Sequence, residues 1–301
     1  MLSNIQNTTM QASSLSKVFS PQIITELSRR GRSELLARLL KELQISKNGD
    51  YDEPLRTVFD KALALLRKKD YRHEYTYKSA LTHKLLLGVH SLKTAAMITE
   101  FRVGSSKADV VILNGTSTVY EIKSERDNLD KLKRQITDYR KVFAKVNVIT
   151  GENHLSDVMK FVQDDVGVLL LSKRGQISTI KEAQDLPERL SPEVIFESIQ
   201  TKEASMVLKS LAIQTPKVPN TLLHETLKNE FIKLDPVDIH SAMLKVLKKT
   251  RSSQPLELLL NSLPKSLSTV VLSSKIRKKD HHRLIETMDI TVNKAISWSE
   301  K

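Results

Sequence analysis

The sequence predicts an α/β protein built on a mixed sheet, with helical regions before and after it. Three observations carry that expectation. Val110, Val111, Ile112 and Leu113 face Thr118, Val119, Tyr120 and Ile122 across an Asn114-Gly115 turn, the pattern of a β-hairpin. A strand-like Lys145–Thr150, a helical stretch around Leu155–Gln163 and a strand-like Val166–Ser172 form a crossover, which calls for parallel neighbours. Beyond Leu186 no strand pattern remains, and prolines such as Pro192, Pro219, Pro236, Pro255 and Pro264 punctuate short helices. The expected division is an N-terminal helical region over residues 1–72, a sheet core over 73–184 and a helical C-terminal module over 185–301.

In chain order, residues 1–19 are polar and expected to fray. Ser20-Pro21 announces a helix to about Gln44, interrupted near Gly31, with Leu35, Leu36, Leu39, Leu40 and Leu43 at helical spacing. Arg29, Arg30 and Arg32 cluster at that break, as a solvated junction in the favoured reading or a phosphate clamp in the other. Asp52-Glu53-Pro54 opens a second helix to about Lys69. A third helical block, Tyr75–Thr99, is expected to deliver Glu100 at its end. A further helix from Asp127 or Asn128 to Phe143 carries Leu129, Leu132, Ile136, Tyr139 and Phe143 as one apolar stripe.

The formal net charge is +13 over 301 residues, a balance that favours a polyanionic partner. The absence of cysteine excludes disulfides and zinc–thiolate sites. No run of about 18 apolar residues reads as a membrane span, and the N-terminus lacks a signal-peptide pattern. A cytoplasmic protein without a membrane partner is the expectation.

The chemistry concentrates between Glu100 and Tyr139. Asp109 lies on the first hairpin strand, Glu121-Ile122-Lys123 on the second, and Gln135 and Tyr139 on the helix after it. Register decides whether the acids meet. A two-residue Asn114-Gly115 loop pairs Leu113 with Thr116 and puts Asp109 and Glu121 on opposite faces. A three-residue loop, with Gly115 left-handed, pairs Ile112 with Thr116 and puts them on one face. If the acids form one site, the longer loop is required. Converging carboxylates hold a hard divalent cation, and a lysine two residues along the strand orients water or neutralises developing charge.

This array resembles the PD-(D/E)XK nuclease superfamily. Ala108-Asp109-Val110-Val111-Ile112 is similar to its aspartate strand, Tyr120-Glu121-Ile122-Lys123-Ser124 to its Glu-x-Lys strand, and Arg134-Gln135 with Tyr139 to its fourth motif. The likeness is strongest to bacterial and prophage members, mostly of unknown function, and covers roughly residues 70–183. It departs where Lys107-Ala108, rather than a proline, precedes the aspartate. The resemblance implies a restriction-endonuclease-like core and a metal-dependent nuclease, endo- or exonucleolytic, acting on DNA. Glu100, Asp109 and Glu121 would hold Mg²⁺ or Mn²⁺ together with the Ile122 carbonyl. Lys123 would position the attacking water, and Gln135 and Tyr139 would support it.

Arg102, Lys107, Arg134, Lys248, Lys249, Lys275, Arg277, Lys278 and Lys279 are the expected nucleic-acid contacts. The helical C-terminal module is a candidate surface for a protein partner, and a homo-oligomer is compatible with it. Two alternatives stand beside the DNA nuclease: a non-catalytic nucleic-acid-binding or interaction protein on the same scaffold, and an RNA-directed defence or toxin effector.

Overall fold

The computed structural model describes residues 11–43, 52–68, 71–89, 91–214 and 218–299. Of the expected fraying over residues 1–19, residues 1–10 lie outside these, as does the expected helix end at Lys69; residues 11–19 contradict it, because 11–17 are helical and Leu15, Val18 and Phe19 are buried in a core. The chain forms two compact units, a sheet unit of residues 84–172 and 176–253, and a helical unit of residues 1–83, 173–175 and 254–301.

In the helical unit, Pro21–Arg30 (α1), Glu34–Leu43 (α2) and Leu55–Leu66 (α3) follow the expected helices closely, and Glu74–Leu81 (α4) forms the start of the expected third block. Ser20 caps α1 by accepting from the Ile23 N–H, with Pro21 at the first helical position. Gly31 ends α1 at φ +67°, a left-handed conformation that glycine adopts without cost. Their apolar faces, including Ile23, Leu27, Leu36, Phe59 and Leu66, share a core with Leu267, Val271, Leu284 and Met288 from the chain's end. The two ends are also joined through the backbone, where Leu55 N–H donates to Ile290 C=O and Val292 N–H to Glu53 C=O.

The sheet unit holds six strands in sequence order: Ala96–Val103 (β1), Ser106–Asn114 (β2), Thr116–Lys123 (β3), Lys145–Thr150 (β4), Gly167–Leu171 (β5) and Ile177–Lys181 (β6). β1, β2 and β3 are antiparallel, β3, β4 and β5 are parallel, and β6 is antiparallel to β5. The expected mixed sheet is present. The parallel crossovers are made by Leu132–Tyr139 (α5) and Leu155–Phe161 (α6), and the unit is completed by Pro192–Ser198 (α7), Thr201–Ser210 (α8), Asn220–Phe231 (α9) and Pro236–Thr250 (α10).

Three further expectations need correction. The third block is not helical to Thr99, because Ala96-Met97-Ile98-Thr99 pairs with Leu113-Ile112-Val111-Val110 as β1, so Glu100 sits within a strand. α5 spans only Leu132–Tyr139, since Asp127 turns back to accept from the Ser124 N–H and hydroxyl instead of capping a longer helix. The C-terminal module is not one body, and the boundaries at 72/73 and 184/185 fall inside compact units. Ile195, Phe196, Val207, Phe231, Met243 and Leu247 share the core of Val119, Ile136, Tyr139 and Val148, whereas Leu259 to Val292 pack with the N-terminal helices. Proline punctuation marks helix starts but carries no information about which core each helix joins.

Candidate functional site

The β2–β3 register decides the site. Leu113 opposes Ser117 and Asn114 opposes Thr116, so Gly115 alone stands between paired residues, at φ +69°. Neither expected loop forms. The observed register nonetheless has the face-matching parity of the longer one, so Asp109, Val111 and Leu113 share a face with Ser117, Val119 and Glu121. Backbone pairing ends at Val110–Tyr120, where Asp109 Oδ2 accepts from the Ile122 N–H at 2.8 Å. β3 continues beside β4, with Glu121 next to Val148 and Lys123 next to Thr150.

Glu121 and Lys123 form a buried pair. Lys123 Nζ lies 3.0 Å from Glu121 Oε1, with 8% and 2% of their side chains exposed. Lys123 also donates to Gln135 Oε1 at 2.9 Å, and Tyr139 donates its hydroxyl to Glu121 Oε2 at 2.8 Å. Gln135 and Tyr139 are four apart on α5 and reach the sheet together, as helical spacing requires. Burial pushes the Glu121 carboxyl above its ordinary range, an effect that Lys123, Tyr139 and Gln135 counter only in part. Burial also raises the Tyr139 phenol, with the charges of Glu121 and Asp109 adding to it. The phenol therefore stays a donor.

Glu100 joins from β1. It lies between the Thr99–Val110 and Phe101–Ala108 pairs and adopts φ +58°, a left-handed conformation rare for a residue with a Cβ. One carboxylate oxygen of Glu100 and one of Asp109 lie within 4.8 Å of each other. Glu100 is 42% exposed and ion-paired with Lys107. Among the described residues, no group of three acids at this spacing includes Glu121, whose oxygens are turned to Lys123 and Tyr139. Two of the three expected acids, exposed Glu100 and half-buried Asp109, thus form an oxygen pair suited to a hard divalent cation, while the third anchors a buried hydrogen-bonded set. Ile122 meets the site through its N–H, which donates to Asp109 Oδ2.

The expected nucleic-acid contacts divide. Arg102 and Arg134 are exposed, and Lys107 is engaged with Glu100. In the last turn of α10, Lys249 is exposed and Lys248 half-buried. In the helical unit Lys275, Lys278 and Lys279 are exposed, whereas Arg277 pairs with Asp280.

Sequence reasoning missed two supports. Thr150 donates its hydroxyl to the Lys123 carbonyl at 2.9 Å, fixing the strand end that presents Lys123. Ser117 Oγ contacts His240 Nε2 at 2.9 Å and accepts from the Ala144 N–H, tying α10 to β3. Burial lowers the His240 pKa, so this contact favours a neutral ring. Only a threonine closing a β-branched run hinted at the first; no sequence signal pointed to the second.

A family model described as Bacteriophage P4 protein cII matches residues 67–270. Protein cII of Enterobacteria phage P4 is 38% identical over 80 residues, a match covering 26% of this chain and 30% of that protein. The chain thus spans less than a third of that relative's length. A solved protein of unknown function from Silicibacter pomeroyi aligns over 40% of this chain and 80% of its own at 18% identity, with a TM-score of 0.27, too slight a likeness to bear on fold or activity. Among the described residues, no helix is long and apolar enough to cross a membrane.

Proposed function

The chain belongs to the bacteriophage P4 protein cII family; from the geometry of its site we propose a metal-dependent phosphodiesterase acting on nucleic acid, with DNA as the first substrate to test. The observation that carries the reading is that Glu100 on β1 and half-buried Asp109 on β2 bring their carboxylates together, with Asp109 on the same face as the Glu121 that anchors the Glu121–Lys123–Gln135–Tyr139 set of β3 and α5. The finer likeness to a PD-(D/E)XK nuclease belongs to this proposal, as do Mg²⁺ and Mn²⁺.

Glu100 and Asp109 would hold the cation, their all-oxygen donor pair matching its preference. The cation would supply a Lewis acid for the phosphodiester and an acidified water. Lys123, positioned by Glu121 and Gln135, offers an ammonium to neutralise charge building on phosphate oxygens. Tyr139 keeps Glu121 in place by donating to it.

A second reading has its own observation. Both Glu121 oxygens are satisfied internally, as in a polar network that stiffens a non-catalytic scaffold. Single- and double-stranded DNA and RNA, incubated with Mg²⁺, Mn²⁺ or EDTA, separate the two. The nuclease reading expects cleavage with either metal and none in EDTA. Asp109→Asn and Glu100→Gln should each lower the rate by more than about a hundredfold. Wild-type cleavage rates in both variants would remove the site, RNA-only cleavage would favour the effector, and binding without cleavage would favour the scaffold.

A further inference from the structure

The excess positive charge lies mainly outside the sheet unit. The helical unit has 24 Lys and Arg against 14 Asp and Glu, and the sheet unit 24 against 21, so ten of the thirteen net positive charges belong to the helical unit. Within the helical unit, a cavity of about 200 Å³ opens where α1 meets α2. Its lining includes Arg30, Arg32 and Arg38, together with Glu26, Ser33 and Glu34.

Local structure explains why three guanidinium groups gather there. Gly31 stops α1 in a left-handed cap, and Ser33 restarts the chain by accepting from the Leu36 N–H. Arg30 therefore ends one helix, Arg32 lies in the link, and Arg38 follows one turn into the next helix. Ser33 Oγ donates to Glu26 Oε2 at 2.6 Å, and Gln22 donates to Glu26 Oε1, so both oxygens of that carboxylate are taken within the wall. Arg30, Arg32 and Arg38 are exposed and make no ion pair or side-chain hydrogen bond with another described residue. The basic surface continues past the cavity. Arg283 packs against Gly31 and donates to the Arg29 carbonyl, and the run carrying exposed Lys278 and Lys279 immediately precedes its helix.

We infer that this arginine-lined cavity and the basic surface beside it form a nucleic-acid backbone-binding site, taking phosphodiester groups from a strand laid across the α1–α2 junction. Guanidinium groups match phosphate oxygens bidentately, and unpaired ones avoid the cost of breaking an existing ion pair. A surface that runs on from residues 30–38 to residues 278–283 fits a linear polyanion better than a single phosphate. The inference does not rest on the nuclease reading, since a binding scaffold would use the same site.

The test uses the full chain in EDTA, with fluorescently labelled 20-nucleotide single-stranded and duplex DNA. Anisotropy is followed across a salt series for wild type and for Arg30→Gln/Arg32→Gln/Arg38→Gln. Each phosphate contact contributes about 0.9 to the duplex salt slope and about 0.7 on a single strand, so the triple variant should lose about 2 to 3 units of slope and bind at least about tenfold more weakly at about 0.1 M salt. The single variants, each expected to lose about one unit, serve if the triple fails to fold. Glu34→Gln, which removes a carboxylate from the lining, should tighten binding. Lys93→Gln/Lys202→Gln/Lys209→Gln, which neutralises exposed lysines of the sheet unit, is the matched control and should bind as wild type does. The proposal is overturned by an unchanged slope in the arginine variants, by an equal loss in the lysine control, by unchanged or weaker binding in Glu34→Gln, or by a wild type that binds neither DNA.

Discussion

In the sheet unit, charged groups lie inside and are answered. Glu121 and Lys123 bond to each other, Glu203 receives two bonds from Arg251, and Asp165 pairs with Arg140 and Arg189. In the helical unit, Arg30, Arg32 and Arg38 stand exposed and unpaired around an open cavity. The same side-chain types thus serve opposite ends. A buried charge must be matched, because desolvation costs more than a lone ion can recover, so it fixes geometry. An exposed charge costs little, and its field remains available to a ligand. Mutations should expose the difference through stability in the first case and through binding in the second.

The largest expected effect comes from breaking the innermost pair. Lys123→Met leaves Glu121 buried without its cation and should cost about 3 kcal/mol or more, read from the urea midpoint. Adding Glu121→Leu should recover much of that loss, whereas Arg30→Gln should stay within about 0.5 kcal/mol of wild type. Equal midpoints for Lys123→Met and Arg30→Gln would erase the contrast. The sign of the pH dependence follows from the raised Glu121 carboxyl. A group whose folded pKa is raised favours folding most below its unfolded value, and that contribution is lost as pH rises through the folded one. Glu121→Gln cannot ionise, so its stability relative to wild type should improve as pH rises through that window.

A middle-sized effect is expected at Glu203. Burial alone would raise this carboxyl, but the bonds from Arg251, the Gln200 N–H and Thr250 outweigh it and hold the pKa below the ordinary 4.5. Arg251 also lies over the Phe101 ring, 5.0 Å from its centroid. Arg251→Ala should therefore cost about 2 kcal/mol at neutral pH. The stability owed to the depressed carboxyl is present above its unfolded pKa and is lost as pH falls through the folded value. Denaturant melts should show wild type and variant converging below about pH 4.5, and a constant gap down to acid would contradict this assignment.

The smallest effect tests whether strain at Glu100 is retained for its carboxylate. Glycine adopts φ +58° freely, so Glu100→Gly should relieve about 1 kcal/mol of backbone strain, partly offset by glycine's greater freedom in the unfolded chain. A net gain of about 0.5 kcal/mol is expected, together with loss of Mn²⁺ binding measured by calorimetry. Unaltered Mn²⁺ binding in that variant would take Glu100 out of the site.

The sequence by itself determined what local physics controls. Alternating β-branched residues placed β2, β3 and β4, glycine at 31 and 115 marked left-handed turns, and Ser-Pro and Asp-Pro pairs set the starts of α1, α7 and α10. Helical spacing put Gln135 and Tyr139 on one side of α5, and strand alternation put Glu121 and Lys123 on one face, so most of the buried set was legible. Tertiary structure alone decided the register that gives Asp109 the face of Glu121, because a shift of one residue inverts every side chain and either loop was compatible with the turn sequence. It also decided the strand around Glu100 and the left-handed backbone that residue adopts between the Thr99–Val110 and Phe101–Ala108 pairs. The same holds for the union of the chain's two ends and the separation of the C-terminal helices between two cores. An amphipathic pattern states which face of an element must be covered; which distant segment covers it is settled only when all the apolar faces compete for burial together.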